Sequence, residues 1–489
     1  MDSILKKLKE NPHLKLIADN FKNHPQEIYL VGGYLRDLFL KRKKENMDFD
    51  FAVSSQAIKI SRAIAGKLKS GFVVLDKEHG SSRIVYAKNG FSYNFDFTDF
   101  RGLTALSTGG RDIFADLLHR DFTINSLALN LRAIKNARTI DTVLLDPYFG
   151  RADIKARLIR TVSDFSLPED PLRILRAFSL AAALDFKIET KTKDAIRKHK
   201  KKINSSAFER ITEELFKILN SENGFRSFKA MDDFGLLDEI MPEIKVMRGV
   251  GQGPYHHLDV YGHSLEALKQ IERLFSELKR NRAIQDYLNK IISGTHTKKA
   301  LLKLGSFLHD IGKPASKERI NGKTCFHGHE RIGRNIAREM AERLRLSNDE
   351  KNALDKMIFW HLRPGYIADI ENLTERAIYR FFRDAQDEAV SILLLSIADQ
   401  RSTRGPLTRG ANRRHHEDVC LGLTREFFRK AKEKKLPPLV NGYDIMRHLK
   451  LPPGPLIGKI LEEISEAQAA GELKTKPQAL ELARSQFTR

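Results

Sequence analysis

Three aspartates in the first hundred residues have the type and spacing for metal-assisted phosphoryl chemistry. Asp48 and Asp50 are separated by one phenylalanine, and residues two apart on a strand point to the same face. Asp96 lies between Phe95 and Phe97 in the same alternation. Three carboxylates on one face can hold two divalent cations for phosphoryl or nucleotidyl transfer. A solvated acidic edge strand is the competing interpretation, because a lone Asp-x-Asp pattern is weak evidence.

A glycine pair ahead of these aspartates suits anion binding. Gly32 and Gly33 follow the apolar segment 28–31 and precede a helical pattern at 34–41. Glycine lets backbone N–H groups approach an anion closely, and a helix N-terminus favours negative charge. A turn that binds phosphate, followed by carboxylates that bind metal, fits a nucleoside triphosphate.

A second set of candidate metal ligands lies between residues 255 and 405. The region holds a group of histidines and aspartates, namely His256, His257, Asp259, His263, the doublet His309-Asp310, His327, His329, His361 and Asp399. The doublet and Asp399 each follow an apolar run with a helical pattern, which can aim their side chains into a cavity. Mixed imidazole and carboxylate ligands suit Mn, Fe, Ni, Co or Zn better than Ca. A metal bound there would activate water for phosphoester hydrolysis.

The elements that position these residues change along the chain. The first 150 residues contain five short β-rich segments, at 27–32, 49–53, 72–75, 83–87 and 91–97. Helical patterns such as 55–68 separate them, which predicts an α/β unit. From about residue 154 the pattern is helical, and its strongest amphipathic segment is 172–184.

The composition favours a polyanionic partner. The 489 residues include 85 Lys and Arg against 63 Asp and Glu, a formal net charge of +22, and nucleic acid is the leading candidate. We expect the basic runs 41–44, 197–202, 413–416 and 429–435 to track an RNA backbone. Two cysteines exclude a disulfide framework. No apolar run reaches the ~18 residues of a membrane span, so we expect a cytoplasmic protein without a membrane partner.

Five ordered motifs resemble those of the class II tRNA nucleotidyltransferases and bacterial poly(A) polymerases, members of the polymerase-β-like nucleotidyltransferase superfamily. The match covers roughly residues 28–220. The motifs are VGGYLRD at 31–37 with Asp48-x-Asp50, DLLHRDFTINS at 116–126, the DP-x-x-G segment from 146 with Asp153 and Arg160, EDPLR at 169–173, and SAFERITEEL at 206–215.

The region after residue 254 resembles the HD-domain metal-dependent phosphohydrolases, and Gly312-Lys313 after the His-Asp doublet strengthens this resemblance. Some bacterial CCA-adding enzymes carry such a domain at this position. The resemblance implies His263, His309, Asp310 and Asp399 as ligands of Ni²⁺, Mn²⁺, Co²⁺ or Fe²⁺, and a substrate with a 2′,3′-cyclic or terminal phosphate. His329 and His361 are candidate ligands of a second metal, whereas His256 and His327 are predicted to be structural or at the surface.

Together the resemblances imply an α+β fold, with a polymerase-β-like head built on a small mixed sheet, an all-α neck and body, an α-helical HD domain and a helical tail. We place the head at 1–153, the neck and body at 154–245, the HD domain at 246–405 and the tail at 406–489. The implied activity is template-independent addition of CCA, or part of it, to the tRNA 3′ end from CTP and ATP.

The resemblance also implies roles for residues of the head and neck. Asp48 and Asp50 would bind Mg²⁺, and Asp96 would help to activate the RNA 3′-hydroxyl. Asp170 and Arg173, expected three residues apart on one helix, would select the base. The remaining nucleotide-binding candidates are Gly32, Gly33, Arg36, Arg120, Asp121, Asn125 and Arg176. Arg210 is predicted to contact phosphate, and a salt bridge to Glu213 or Glu214 is the alternative.

Two departures from the family pattern bear on the extent of addition. His119 stands where the family has the first arginine of its R-R-D-F-T motif, and Ser126 replaces alanine. The segment 102–115 is also short, and in relatives this stretch helps the switch from C to A addition. A CC-adding or A-adding specialist and a poly(A) polymerase therefore stay open. An RNA-binding protein with a decayed head is disfavoured by the intact Asp48, Asp50, Asp170 and Arg173.

Overall fold

The computed structural model describes residues 3–22, 24–42, 47–88, 91–101, 112–406, 410–433 and 437–487. The predicted loop 102–115 lies outside these residues up to position 111, as do parts of the basic runs 41–44 and 429–435. The chain divides into two compact units. One comprises Met1–Ala207 and Asp233–Glu239, and the other comprises Phe208–Asp232 and Ile240–Arg489.

The first unit is built on a seven-stranded mixed sheet in the order β3-β4-β5-β2-β1-β6-β7. Its strands are β1 Ile28–Val31, β2 Met47–Val53, β3 Gly71–Asp76, β4 Ser81–Lys88, β5 Phe91–Asp99, β6 Ala128–Asn130 and β7 Leu144–Leu145, and a separate parallel pair is β8 Leu158–Ile159 with β9 Lys187–Ile188. Within the sheet, β2 and β5 pair in parallel and the other described neighbours are antiparallel. The five segments predicted as strands correspond to β1–β5.

Alternation along β2 and β5 separates the core of the first unit from its polar face. Phe49, Phe51, Phe95 and Phe97 are each at most 1% exposed, and their rings pack together, with the Phe51 and Phe97 centroids 5.0 Å apart. The helices of the first unit are α1 Ser3–Glu10, α2 Pro12–Phe21, α3 Gly33–Phe39, α4 Ala57–Leu68, α5 Ile113–Leu118, α6 Gly150–Ala156, α7 Ser166–Glu169, α8 Arg173–Leu184 and α9 Thr190–His199. Since successive side chains alternate between faces, the intervening aspartates lie on the opposite face from this aromatic core.

From residue 208 onward the described chain is mainly helical. Its helices are α10 Phe208–Asn220, α11 Gly224–Asp233, α12 Leu237–Ile240, α13 Val260–Glu277, α14 Arg282–Leu288, α15 Lys298–Leu308, α16 His329–Arg343, α17 Asn348–Trp360, α18 Arg363–Ala368, α19 Glu375–Ala385, α20 Ala389–Ser402, α21 Gly410–Lys430, α22 Gly442–Leu449, α23 Pro455–Ala469 and α24 Lys476–Phe487. Two short hairpins are β10 Ile291–Ser293 with β11 His296–Thr297, and β12 Glu318–Ile320 with β13 Lys323–Cys325. Short 3₁₀ helices in the two units are Thr123–Asn125, Ala133–Asn136, Ile140–Thr142, Lys200–Ser205, Pro242–Met247, Pro314–Ser316 and Gln386–Glu388.

Helices α15 and α20 run through the core of the second unit. Residues 300–308 of α15 and 389–398 of α20 are all buried, as expected for helices that are apolar around most of their circumference. His309 and Asp310 follow α15 directly, and Asp399 follows the buried stretch of α20. The apolar runs thus position the candidate ligands in the interior.

Candidate active and metal sites

The three aspartates of the first unit meet on the parallel pair β2 and β5. Asp50 lies opposite Asp96, and Asp48 lies opposite Asn94. The Asn94 side-chain amide donates to Asp48 Oδ1 over 2.9 Å. The sheet therefore brings together the carboxylates that the sequence analysis grouped from their alternation alone.

Gly32 closes one side of this acidic face. It has a φ of +77°, and a Cβ there would lie 2.8 Å from Asp50 Oδ2. A side chain at this position would require a left-handed backbone and would displace the carboxylate. The glycine therefore serves both the turn before α3 and the close approach to Asp50.

The surroundings of Asp50 make its charged form costly. Burial raises the pKa of the Asp50 carboxyl, and repulsion by the facing Asp96 raises it further. Arg120 and Arg176 act in the opposite direction. A divalent metal ion bound at this carboxylate would stabilise its charged form.

Asp96 has a fixed cationic partner that the sequence analysis missed. Arg83 Nε and Nη2 donate to Asp96 Oδ1 and Oδ2, each over 2.7 Å. Arg83 lies directly opposite Asp96 on β4. The only signal for this pair is cross-strand register, which becomes readable once β4 and β5 are known to be neighbours.

Four of the predicted nucleotide-binding residues form one hydrogen-bonded chain. Arg36 Nη1 donates to Asn125 Oδ1 over 2.6 Å, and the Asn125 amide donates to Asp121. Arg176 Nε donates to Asp121 Oδ2 over 2.6 Å. Arg36, Asn125 and Asp121 are buried and Arg176 is exposed, so the chain ends in a guanidinium at the surface. Separately, Arg120 is paired with the buried Asp116 at 2.7 Å.

The prediction that Asp170 and Arg173 share a helix is wrong. Asp170 has extended backbone angles, φ −136° and ψ 95°, and caps the C-terminus of α7, whereas α8 begins at Arg173. Pro171 follows Asp170, and the residue before a proline is disfavoured in the α region for steric reasons. The two residues remain joined by a turn in which the Arg173 N–H donates to the Asp170 carbonyl over 3.0 Å.

The Arg173 side chain is used within the unit itself. It is 7% exposed and donates to the carbonyls of His119 and Ser166, over 2.7 and 3.0 Å. It also pairs with Glu169 Oε2 at 3.2 Å. His119, the departure from the family pattern, contacts the same glutamate, with Nδ1 2.8 Å from Oε1.

Arg210 lies in the second unit, exposed on α10. Of the carboxylates considered as its alternative partners, Glu214 pairs with Lys217 at 2.8 Å. Glu213 Oε1 lies 3.4 Å from His296 Nε2.

Six candidate ligands of the second unit form one cluster, in which the buried carboxylate of Asp310 is central. They come from the first turn of α13, the ends of α15 and α17, the start of α16, and α20, and they are His263, His309, Asp310, His329, His361 and Asp399. In each of two groups, the ligand atoms lie within 4.8 Å of one another, close enough to hold a metal ion: His263 with His309 and Asp310, and Asp310 with His329 and His361. Asp310 belongs to both groups.

The two oxygens of Asp310 face different groups. Oδ2 lies 3.4 Å from His263 Nε2 and 3.2 Å from His309 Nε2. Oδ1 lies 3.4 Å from His329 Nε2 and 3.7 Å from His361 Nε2. Asp399 Oδ1 extends the first group, 3.0 Å from His263 Nε2. A carboxylate shared in this way can bridge two cations.

Backbone carbonyls orient three of the four histidines. The Nδ1 atoms of His309, His329 and His361 contact the carbonyls of Ser306, Phe326 and Ile358 over 2.9, 2.8 and 2.6 Å. An Nδ1–H that donates to a carbonyl leaves Nε2 available for a metal. The Nε2 atoms of His263 and His309 are buried without hydrogen-bond partners among the described residues, which fits a site for cations.

Charges within this cluster shift several pKa values. Burial alone would lower the pKa of His309, but Asp310 and Asp399 outweigh it and raise the pKa to about 10. His361 is buried and near His309, and its pKa falls to about 3. Burial opposes ionisation of Asp310, yet His309 and Lys313 hold its pKa well below the usual range. Lys313 Nζ lies 2.6 Å from Asp310 Oδ2.

The two remaining histidines differ in placement. His327 is exposed. His256 is half-buried with its ring centroid 5.0 Å from that of His263, and burial lowers its pKa to about 4.

Four family models match the chain in order. They are the poly A polymerase head domain at residues 28–160, the probable RNA and SrmB-binding site of polymerase A at 185–247, the HD domain at 260–403, and the putative tRNA nucleotidyltransferase domain 2 at 428–483. The A-adding tRNA nucleotidyltransferase of Deinococcus radiodurans is 30% identical over 93% of this chain and 94% of its own length. The chain belongs to the tRNA nucleotidyltransferase family.

Other members of this family align over similar lengths. The CC-adding tRNA nucleotidyltransferase of Geobacter sulfurreducens is 29% identical over 100% of this chain and 99% of its own length. Among solved structures, a CCA-adding enzyme with CTP has a TM-score of 0.65 at 21% identity, covering 99% of this chain and 98% of that one. These comparisons confirm the predicted α+β fold and the enzyme class.

Nucleotidyltransferase and HD domains are generally metal-dependent, so metal dependence is confirmed at the level of the domain type.

Within the described ranges, no helix is long and apolar enough to cross a membrane.

Proposed function

We propose that this tRNA nucleotidyltransferase adds part of the CCA sequence to the tRNA 3′ end from CTP or ATP. The observation that carries the proposal is the meeting of Asp48, Asp50 and Asp96 beside Gly32 on one face of the sheet. The proposed division of labour follows the domain boundaries predicted above, with transfer in residues 1–153 and base selection in 154–245. A cytoplasmic location, where tRNA is processed, fits this function.

In this proposal Asp48 and Asp50 hold Mg²⁺. The ions would neutralise the triphosphate and stabilise the leaving pyrophosphate. Asp96 accepts the proton of the RNA 3′-hydroxyl. The hydroxyl oxygen forms a bond to the α-phosphorus of the nucleotide, and the bond from that phosphorus to pyrophosphate breaks. Arg83 supports this role because its two hydrogen bonds fix the orientation of the Asp96 carboxylate.

A series of hydrogen-bonded side chains positions the nucleotide, running from Arg36 through Asn125 and Asp121 to Arg176. Asp121 is an acceptor suited to a ribose hydroxyl, and the exposed Arg176 guanidinium suits a phosphate. Gly32 and Gly33 keep the backbone open for the triphosphate, and Arg120 adds positive charge. Asp170 and Arg173 select the base, with Arg173 anchored by the His119 carbonyl and Glu169. Arg210 contacts RNA phosphate.

The relatives favour a specialist over complete CCA addition. Those named A-adding or CC-adding align over 93–100% of this chain, whereas the proteins named multifunctional CCA protein align over 68–72%. The short segment 102–115 points the same way. Complete CCA addition and poly(A) synthesis are the alternatives that the experiment separates.

The test uses purified protein and Mg²⁺, with CTP and ATP labelled separately. Three tRNAs are supplied, one that ends before CCA, one that ends after the first C and one that ends after both Cs. A CC-adding specialist extends only the first two tRNAs, with C, and an A-adding specialist extends only the third, with A. Extension of all three to CCA would establish the complete activity, and long adenosine tails on unrelated RNA would establish a poly(A) polymerase. No extension of any tRNA would refute the proposal.

A second proposed activity is phosphoester hydrolysis by the HD domain, favoured by the two groups that share Asp310. His263, His309, Asp310 and Asp399 would hold one transition metal, and Asp310, His329 and His361 a second. The metals would neutralise the phosphate and activate the attacking water. Lys313 keeps Asp310 ionised and oriented. Turnover of a 2′,3′-cyclic nucleotide or a terminal phosphate is expected with Ni²⁺, Mn²⁺, Co²⁺ or Fe²⁺, and its absence with every metal would reject this activity.

A further inference from the structure

A cavity of about 900 Å³ opens beside the second ligand group of the HD domain. His329 lines this cavity, and so does Lys313, the lysine bound to Asp310. Its volume lies within the ~300–1,000 Å³ typical of small-molecule sites. The cavity therefore shares His329 with the site proposed above to hydrolyse phosphoesters.

Flat aromatic side chains form much of the wall. They are Phe326, Phe359, Trp360 and Tyr366. Two of them are tied directly to the ligands, because the Phe326 carbonyl accepts from His329 Nδ1 and Trp360 immediately precedes His361. The aromatic residues of the cavity wall and the candidate ligands thus belong to the same local segments of the chain.

The arginines that line the cavity differ in whether a carboxylate already neutralises their charge. Arg363 is paired with Asp384 at 2.6 Å and lies 4.8 Å from the Trp360 ring centroid, and Arg380 is paired with Glu466. Arg331 is exposed and has no carboxylate partner among the residues that the structure describes. A ligand that is flat and apolar at one end and anionic at the other would satisfy both the rings and this arginine.

We propose that this cavity binds the base of a nucleoside phosphate, with Trp360 as the stacking residue and Arg331 as a contact for its negative charge. The proposal rests on the hydrolytic function proposed for the HD domain, and it adds the base as the element that the site recognises. Stacking on an aromatic ring suits any base, because every base has a π-face. The nucleoside phosphate can be a free nucleotide or the end of an RNA.

Trp360 gives a direct readout because it is the single tryptophan of the chain. Its fluorescence is titrated with adenosine 3′-monophosphate, with a short RNA bearing a 3′-phosphate, and with ribose 5-phosphate. Quenching by either base-containing probe but not by ribose 5-phosphate is expected. Quenching by the RNA alone assigns the cavity to an RNA end, and quenching by the mononucleotide alone assigns it to free nucleotides. Quenching by no base-containing probe, or equally by ribose 5-phosphate, overturns the proposal.

The head also binds nucleotides in the function proposed above, so its contribution is removed with Asp48→Asn and Asp50→Asn. The quench is expected to be unchanged in this double variant. Loss of the quench would place its origin in the head and overturn the proposal.

Kinetics supply a second test. Trp360→Leu is expected to raise KM for adenosine 3′-monophosphate roughly 5- to 100-fold, with KM for glycerol 2-phosphate unchanged, while Trp360→Phe retains most of the preference. Tyr443→Leu removes an aromatic residue that is 79% exposed outside the cavity and serves as the matched control. Equal changes with both substrates would overturn the proposal. Hydrolysis without base preference or quenching would refute this inference alone, whereas quenching without hydrolysis would refute the hydrolytic function.

Discussion

Asp50, a proposed metal ligand, lies in an environment that opposes its negative charge. Burial and the facing Asp96 raise its pKa, so the metal-free head carries a cost at neutral pH. We expect Asp50→Asn to stabilise the metal-free protein by about 1 kcal/mol, a usual gain from relieving a functional site. The same substitution should lower nucleotide addition ~100-fold or more, since a charged ligand is lost.

The pH dependence has a defined sign. Because the folded-state pKa of Asp50 is raised, its contribution to stability is complete below the ordinary Asp value of about 3.9 and is lost as pH rises through the folded pKa. Thermal melts of metal-free wild type and Asp50→Asn from pH 4 to 8 should therefore diverge as pH increases. Mg²⁺ should reduce the gap. Asp48→Asn, at an exposed position, is the control, and parallel melts for wild type and Asp50→Asn would contradict the prediction.

Arg83 provides a residue-level test of how Asp96 is held. Its two bonds to Asp96 depend on the planar guanidinium, which lysine cannot reproduce. We expect Arg83→Leu to reduce kcat for nucleotide addition about 10- to 100-fold with little change in KM for the nucleotide. The kcat of Arg83→Lys should lie between those of wild type and Arg83→Leu. Its pH profile for nucleotide addition should be shifted from that of wild type by less than the profile of Arg83→Leu. A change confined to KM would mean that Arg83 binds substrate instead.

At the scale of elements, sequence alternation and helical periodicity predicted the parts that local physics determines. Phe49, Phe51, Phe95 and Phe97 alternate with aspartates, and this pattern alone assigned the core and the acidic face correctly. Local sequence patterns could not predict contacts between residues that are distant in sequence. The Arg83–Asp96 and His119–Glu169 contacts depend on which strands and helices become neighbours. The misplaced Asp170 was an avoidable error, because Pro171 already marks a break before the helix.

Helices α19 and α23 are joined by a ladder of ion pairs. Arg380 and Arg383 each approach the buried Glu466 at 2.6 Å, and Arg376 pairs with Glu472 at 2.6 Å. Glu466→Gln removes the negative charge that Arg380 and Arg383 share. Since these arginines are partly exposed, we expect a loss of only about 1–2 kcal/mol.

This loss should appear as faster proteolysis of the segment after α21 and as a lower melting temperature. Added salt should narrow the difference between Glu466→Gln and wild type. Glu481→Gln, an exposed substitution on α24, is the control. Equal cleavage rates for Glu466→Gln and wild type would show that apolar packing alone holds α23.

At the scale of the whole molecule, the net charge of +22 predicts strongly salt-dependent tRNA binding. We expect the Kd for tRNA to rise at least tenfold between 50 and 200 mM salt. Lys198 and Lys201 are exposed in the basic run 197–202, and Lys198→Gln with Lys201→Gln should lower the log–log salt slope by about 2. Lys279→Gln with Lys290→Gln, outside the runs, is the matched control. An unchanged slope would exclude the run from the RNA contact.

The two activities proposed for this chain are expected to be separable by mutation. Asp310 serves both ligand groups of the HD domain, so Asp310→Asn should abolish phosphoester hydrolysis and reduce bound transition metal from two ions to none. His361→Ala removes a ligand of one group only and should retain one ion, as measured by elemental analysis. Neither substitution touches the aspartates of β2 and β5, so both variants should add nucleotides to tRNA at the wild-type rate. Conversely, Asp48→Asn with Asp50→Asn should stop addition and leave hydrolysis intact. If Asp310→Asn slowed addition in a protein with an unchanged melting temperature, the two activities would be coupled, and the HD metals would have to be included in the mechanism of nucleotide transfer.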